Sequence, residues 1–264
     1  MRHIALLGLL LVSLVFGKEL AVSFEPLLEA KLLNAALETQ TEVQLIDIRS
    51  PADYAAGHLP NAVSAPYGQW RGPAHNPGQL LEEAYFQQLV QQLGLTNEHP
   101  VVVYSSGADE TDFGAAARVY WTLKYLGFTN LALLNGGFKQ WQLANLPTQT
   151  TANKPSPSNY QVQLNQALVI QQEELLSKIA EPNENLQLLD ARPPKFFAGE
   201  MKAPTASVGG TIASAQNLPF GQWFNSYDTR LRSASEIQQA VAQQNLHLAP
   251  ETVSFCNTGH WAAT

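Results

Sequence analysis

The chain writes one structural pattern twice, and this duplication restricts the fold more than any other feature. Between Thr41 and Tyr67 an apolar run, Val43-Gln44-Leu45-Ile46-Asp47, precedes Ile48-Arg49-Ser50-Pro51, Tyr54, the turn Gly57-His58-Leu59-Pro60 and Ala65-Pro66-Tyr67. Between Asn185 and Phe220 the order returns as Leu186-Gln187-Leu188-Leu189-Asp190, Ala191-Arg192-Pro193-Pro194, Phe197, Gly210-Thr211-Ile212 and Asn217-Leu218-Pro219-Phe220. Each copy leads into an amphipathic helix, with Phe86, Leu89, Val90 and Leu93 in the first half and Ile237, Ala240 and Val241 in the second, spaced i, i+3, i+4. Ser233, with Glu236 three residues on, reads as a capping box at the start of the second helix. Each helix then enters a short β-rich run, Val101-Val102-Val103-Tyr104 or Thr252-Val253-Ser254-Phe255.

Short strands alternating with helices predict an α/β fold in which each half forms a parallel sheet flanked by helices, with ligands beyond the carboxyl ends of the strands. A length of 264 residues suits two such domains in tandem. The first is placed at 24–150 and the second at 161–264. Between them 151–160, with Pro155-Ser156-Pro157-Ser158, has linker composition. The first half completes itself with a helix carrying Ala116, Val119, Leu123 and Leu126, a strand at Leu131 to Leu134, and Asn135-Gly136-Gly137-Phe138 entering a helix with Trp141. The second half stops at Thr264 without that continuation, so the second domain is expected to be incomplete at its C-terminus.

Met1-Arg2-His3, the apolar run Ile4 to Phe16 and Gly17-Lys18-Glu19 read as a secretory signal peptide over 1–17. About 13 apolar residues fall short of the ~20 needed to span a bilayer, so no membrane contact is expected of the mature form. The expectation is an exported chain, periplasmic if the source is a Gram-negative bacterium. A net charge of −7, with no basic run, argues against nucleic acid as a partner.

One cysteine forms no internal disulfide, and the histidines show no metal-ligand spacing, so neither a metal nor a cofactor is expected. That cysteine, Cys256, ends the last strand and opens Cys256-Asn257-Thr258-Gly259-His260-Trp261, with Ala262-Ala263 expected to begin a helix. A loop curled between a strand and a helix start turns several backbone amides on one point and favours an anion there, which for a cysteine is the thiolate. Gly259 suits the tight curvature because it tolerates positive φ. The corresponding place in the first half holds Ser105.

These pieces together resemble the rhodanese family, in particular its tandem-domain thiosulfate and 3-mercaptopyruvate sulfurtransferases. The matching residues are Leu189-Asp190-Ala191-Arg192, Asn217-Leu218-Pro219-Phe220 and Phe255 to Ala262, and in the first half Ile46-Asp47-Ile48-Arg49, Gly57 to Ala62 and Leu134 to Phe138. The resemblance implies a non-catalytic first domain and a catalytic second one. It implies ping-pong transfer of sulfur from a small anionic donor to cyanide or a thiol, through a persulfide on Cys256. Arg192 matches the family arginine that helps bind the donor, its competing reading being an ion pair with Asp190. Asn257, Thr258, Gly259, His260 and Trp261 complete the expected binding loop of a monomeric enzyme. His260 is expected to supply either positive charge or a proton, or simply to pack on Trp261. The second basic residue of the family pattern is missing, with Phe196 in its place beside Lys195.

A phosphatase of the rhodanese-like, cell-cycle type needs a loop one residue longer, closed by arginine. Here position 262 is alanine and no arginine follows Cys256. A non-catalytic binding or sulfur-carrier module, inactive because its C-terminal helix and strand are missing, is the remaining alternative. Trp121, Trp141 and Trp223 are expected in the core or between domains rather than on a binding platform.

Overall fold

A computed structural model describes residues 24–39, 42–180, 185–244, 246 and 249–264, so the expected signal segment 1–17 lies outside the described residues. The first half forms a five-stranded sheet in the order β1-β5-β4-β2-β3, from β1 (Leu27–Leu28), β2 (Gln44–Asp47), β3 (Val63–Ser64), β4 (Val101–Tyr104) and β5 (Leu131–Leu134). Every pairing is parallel. β4 and β5 are buried at every position, as expected of strands covered on both faces.

Side chains alternate along β4 and feed two separate cores. Val101 and Val103 join Phe86, Leu89 and Val90 of α3 (Glu83–Gln92) and Ala116, Val119 and Leu123 of α4 (Glu110–Tyr125). Val102 and Tyr104 point the other way, to Leu33 of α1 (Ala30–Glu38), Tyr54 of α2 (Pro51–Ala56) and Phe138 and Trp141 of α5 (Gly137–Leu143). The apolar spacings in α3 and α4 thus mark faces that are buried.

The second half carries a smaller parallel sheet, β7-β6-β8, from β6 (Leu186–Asp190), β7 (Gln216–Asn217) and β8 (Glu251–Phe255). Around it lie α6 (Gln172–Ile179), α7 (Pro194–Phe197) and α8 (Ala234–Gln243). The capping box forms at α8: the Ser233 hydroxyl accepts from Glu236 N, and the Glu236 carboxylate accepts from Ser233 N. Its apolar stripe is less covered than the periodicity suggests, since Ile237, Ala240 and Val241 are only half-buried. The helix expected after the cysteine loop is a short 3-10 turn, Trp261–Ala263.

The duplication holds in atomic detail. In the first half Ala65 N and Tyr67 N donate to Asp47 O and Ile48 O at 2.9 Å each; in the second Leu218 N and Phe220 N donate to Asp190 O and Ala191 O at 2.9 and 3.0 Å. A 3-10 turn follows in both, Tyr67–Trp70 and Phe220–Trp223. The halves also share a core: Phe220 and Phe224 are buried in the cluster built on α3 and α4, and the Phe224 ring meets Phe113 of α4 edge-on at 5.3 Å. Each such ring contributes about 2 kcal/mol by leaving water. Trp141 lies in the first domain's core, and Trp223 packs against the shared cluster.

Candidate active site

The register of β6 against β8 builds the site. Asp190 pairs with Phe255, so the residues after Asp190 lie beside those after Phe255, and Ala191 N donates to Phe255 O at 3.0 Å. Asp190 is fully buried. Its carboxylate accepts from Arg192 N (3.0 Å), Arg192 Nε (2.8 and 3.1 Å), Arg192 Nη2 (2.6 Å) and Thr211 Oγ1 (2.7 Å). Burial pushes the carboxyl up, but the bonds from Arg192 and Thr211 outweigh it and hold Asp190 below the ordinary carboxylate range.

Arg192 is therefore largely committed. Nη2 also donates to Gly210 O at 2.8 Å, leaving Nη1 to reach Asn257 Oδ1 at 3.4 Å. Arg49 repeats the arrangement in the first half, with Nη2 2.6 Å from Asp47 Oδ2 and 2.7 Å from Gly57 O. Of the two readings of Arg192, the ion pair with Asp190 is the one its contacts display, and one edge of the guanidinium is left for the loop.

Cys256 sits half-buried at the C-terminal end of β8, and the Gly259 amide donates to its Sγ at 3.0 Å. That bond closes a tight curl in which Gly259 has φ 82°, a region open to glycine. Thr258 Oγ1 lies 2.8 Å from His260 Nδ1. The Trp261 ring stacks on Phe220 at 4.8 Å, meets Phe196 edge-on at 6.1 Å, and donates from Nε1 to Thr111 Oγ1 at 3.3 Å. Asn257 is exposed, and the other loop residues are half-buried.

The expectation that His260 supplies positive charge is corrected. Burial, then the neighbouring charges of Arg71 and Arg118, push its pKa down to about 4, so the imidazole is neutral at neutral pH. It packs edge-on against Trp261 at 5.2 Å, the other reading of this residue.

First-half residues reach the loop, and none of them was among the sequence candidates. Arg118 of α4 donates from Nη1 to Thr258 O at 3.4 Å and from Nη2 to Gly78 O at 3.2 Å, with its guanidinium 4.8 Å from the Trp121 ring centroid. The close approach depends on Gly114, where a Cβ would stand 3.2 Å from His260 O. Tyr67 and Arg118 both lie within electrostatic reach of Cys256 and of Arg71. Tyr67 Oη, Arg118 Nε and His260 Nε2 are buried without a hydrogen-bond partner. The available signal was an arginine between Ala116, Ala117 and Val119, on a stretch of helix otherwise made of apolar residues.

Among the described residues no group of three or more His, Cys, Asp and Glu is placed to hold a metal ion. The site is thus a partly sheltered sulfur, one backbone N–H aimed at it, and arginines on both sides of the domain boundary. Two parallel-sheet units with a cysteine loop beyond the last strand define a cysteine-loop α/β protein of tandem construction.

Residues 29–144 match the family model of the rhodanese-like domain. The chain is 28% identical over 213 residues to the thiosulfate sulfurtransferase of Rattus norvegicus, covering 78% of this chain and 69% of that protein. It is 27% identical over 181 residues to the 3-mercaptopyruvate sulfurtransferase of the same organism, covering 68% and 59%. The crystal structure of SseA from Escherichia coli, described as a 3-mercaptopyruvate sulfotransferase with the rhodanese fold, superposes with TM-score 0.74 at 22% identity, covering 91% of each chain. Residues 29–144 thus form a rhodanese-like domain, and the homologues of the chain include the tandem-domain thiosulfate and 3-mercaptopyruvate sulfurtransferases.

Proposed function

We propose that this chain is a sulfurtransferase that moves sulfane sulfur through a persulfide on Cys256, from thiosulfate or a similar small anionic donor to cyanide or a thiol. The observation that carries the reading is the Gly259 N–H donating to Sγ at 3.0 Å, a contact that strengthens when the sulfur is anionic. In the first step the Cys256 thiolate attacks the outer sulfur of thiosulfate. The new S–S bond forms as the old one breaks, and the bonding pair leaves with sulfite. In the second, cyanide attacks the terminal sulfur of Cys–S–S⁻, thiocyanate departs, and the thiolate is regenerated. Neither step needs an external oxidant or reductant. Ser105, buried at the matching strand end of the first half, has an oxygen where this chemistry needs sulfur.

Asn257, Thr258, Gly259, His260 and Trp261 form the loop around the transferred sulfur, and Arg192 presents Nη1 toward it. His260, being neutral, acts there by shape and hydrogen bonding. The Met1 to Gly17 segment supports export, and the reading is of a monomer.

The deciding experiment is intact-mass analysis after incubation with thiosulfate. The expected result is a gain of one sulfur on Cys256, removed by cyanide with release of thiocyanate. A folded protein that takes no sulfur from thiosulfate, 3-mercaptopyruvate or polysulfide would instead be a binding or carrier module.

A further inference from the structure

Arg118 presents an energetic problem. It is 6% exposed, and no carboxylate lies within 4.0 Å of it among the described residues. Its Nε has no partner, and its two bonds to carbonyls, at 3.4 and 3.2 Å, are long. A buried guanidinium without a counter-charge is costly, by several kcal/mol in desolvation alone. Arg71, also without a carboxylate partner among the described residues, adds positive charge at the same place. Across the domain boundary Arg192 has Asp190, so its charge is already balanced.

Two groups in electrostatic reach of Arg118 are able to become anions, Tyr67 and Cys256. Burial holds the Tyr67 hydroxyl in its neutral form at ordinary pH. Cys256 is left. Its loop touches Arg118 twice, through Thr258 O, which accepts from Nη1, and at Gly259, where any Cβ would collide with Nη1.

We propose that Arg118 of the first domain is the counter-charge of the sulfur anion on Cys256 in the second, so that anion formation at the site and docking of the two halves stabilise one another. The identity of the anion, thiolate or persulfide, rests on the sulfur-transfer reading above. The pairing does not require that transfer occur. Arg118 acts as a positioning residue, since it touches the loop rather than the reacting atoms. The half that lacks a cysteine thereby contributes the unpaired charge of the site.

The single cysteine allows a test without mutation. Iodoacetate converts Cys256 to a carboxymethyl thioether bearing a negative charge, and iodoacetamide converts it to a carboxamidomethyl thioether of nearly the same shape and no charge. The carboxymethyl protein is expected to unfold at a temperature about 3 °C higher, since the anion keeps Arg118 paired. Arg118→Met should abolish the difference and Arg118→Lys should restore most of it. Equal unfolding temperatures of the two wild-type adducts overturn the proposal even if Arg118→Met does not fold. A difference that survives in Arg118→Met also overturns it, because another cation would then be responsible. Sulfur loading from thiosulfate, measured separately on unmodified protein, reports on the transfer reading. A chain that loads sulfur but shows no gap loses this inference alone, and a chain with the gap but no loading loses the transfer reading alone.

Discussion

Arg192 Nη2 lies 2.6 Å from Asp190 Oδ2, and the pair spans a single intervening residue at the buried end of a strand. The same contact, also 2.6 Å, joins Arg49 and Asp47 in the first half, where Ser105 rather than a cysteine follows the neighbouring strand. A pairing present with and without a cysteine is a structural corner of this fold. It fixes where the neighbouring loop starts, and chemistry is added to it by what that loop contains.

Asp190→Asn should therefore act on stability first. It removes the charge that compensates Arg192, and breaking a buried pair in this way costs about 3 kcal/mol, read as a lower urea midpoint at unchanged m-value. The carboxyl of Asp190 is held below its ordinary range, so its stabilising contribution is present above about pH 4 and is lost as pH falls through the depressed value in the folded state. Wild-type stability should drop in that acid range more steeply than that of Asp190→Asn. Equal slopes would show that the pair contributes nothing to acid unfolding.

Gly259→Ala should cost more than a typical surface change. The position has φ 82°, and the added Cβ would collide with Arg118 Nη1. Strain of this kind is worth about 1–3 kcal/mol, and relieving it opens the curl that aims the Gly259 amide at Sγ. Sulfur loading from thiosulfate is expected to fall at least tenfold, with a lower unfolding temperature.

Cys256→Ser should separate chemistry from folding. The residue is half-buried, and the hydroxyl keeps a hydrogen-bond acceptor for the Gly259 amide. Thiocyanate production should vanish while the chain still folds, its stability lowered by about 1 kcal/mol, the step expected between the charged and uncharged Cys256 adducts. Residual turnover in this variant would assign the sulfur to another residue.

His260→Gln should flatten the pH dependence of stability on the acid side. A histidine whose folded-state value is pushed down to about 4 binds its proton more readily in the unfolded chain, so stability falls as pH drops from about 6.5 to about 4. The gap in unfolding temperature between wild type and variant should shrink as pH falls from about 6.5 to about 4 and stay constant above that window. Parallel curves would mean that His260 titrates alike in both states.

Much of the fold could be read from local pattern, because the duplicated strand-turn-helix order is written in residues that are near neighbours in the chain. The burial of Phe86, Leu89, Val90, Ala116, Val119 and Leu123 follows from helical spacing, and the cap of α8 from Ser233 and Glu236 alone. The site was legible on one side. Cys256, its loop and Arg192 form a recognisable string, whereas Arg118, Tyr67 and Gly78 lie in segments whose local pattern reads as helix, turn and loop. Nothing near them in sequence signals the cysteine, since Arg118 meets the carbonyl of Thr258 across 140 positions.

The amino-acid sequence by itself determined two parallel-sheet units, the strand ends where chemistry belongs, and the thiol that stands at one of them. Tertiary structure alone decided that Arg192 is spent on Asp190, that His260 is neutral, and that the uncompensated positive charge arrives from the other half. The physical reason is that hydrophobic periodicity encodes which face of an element is buried, while charge balance depends on distances between elements, and those exist only once Phe220 and Phe224 have joined the first half's core.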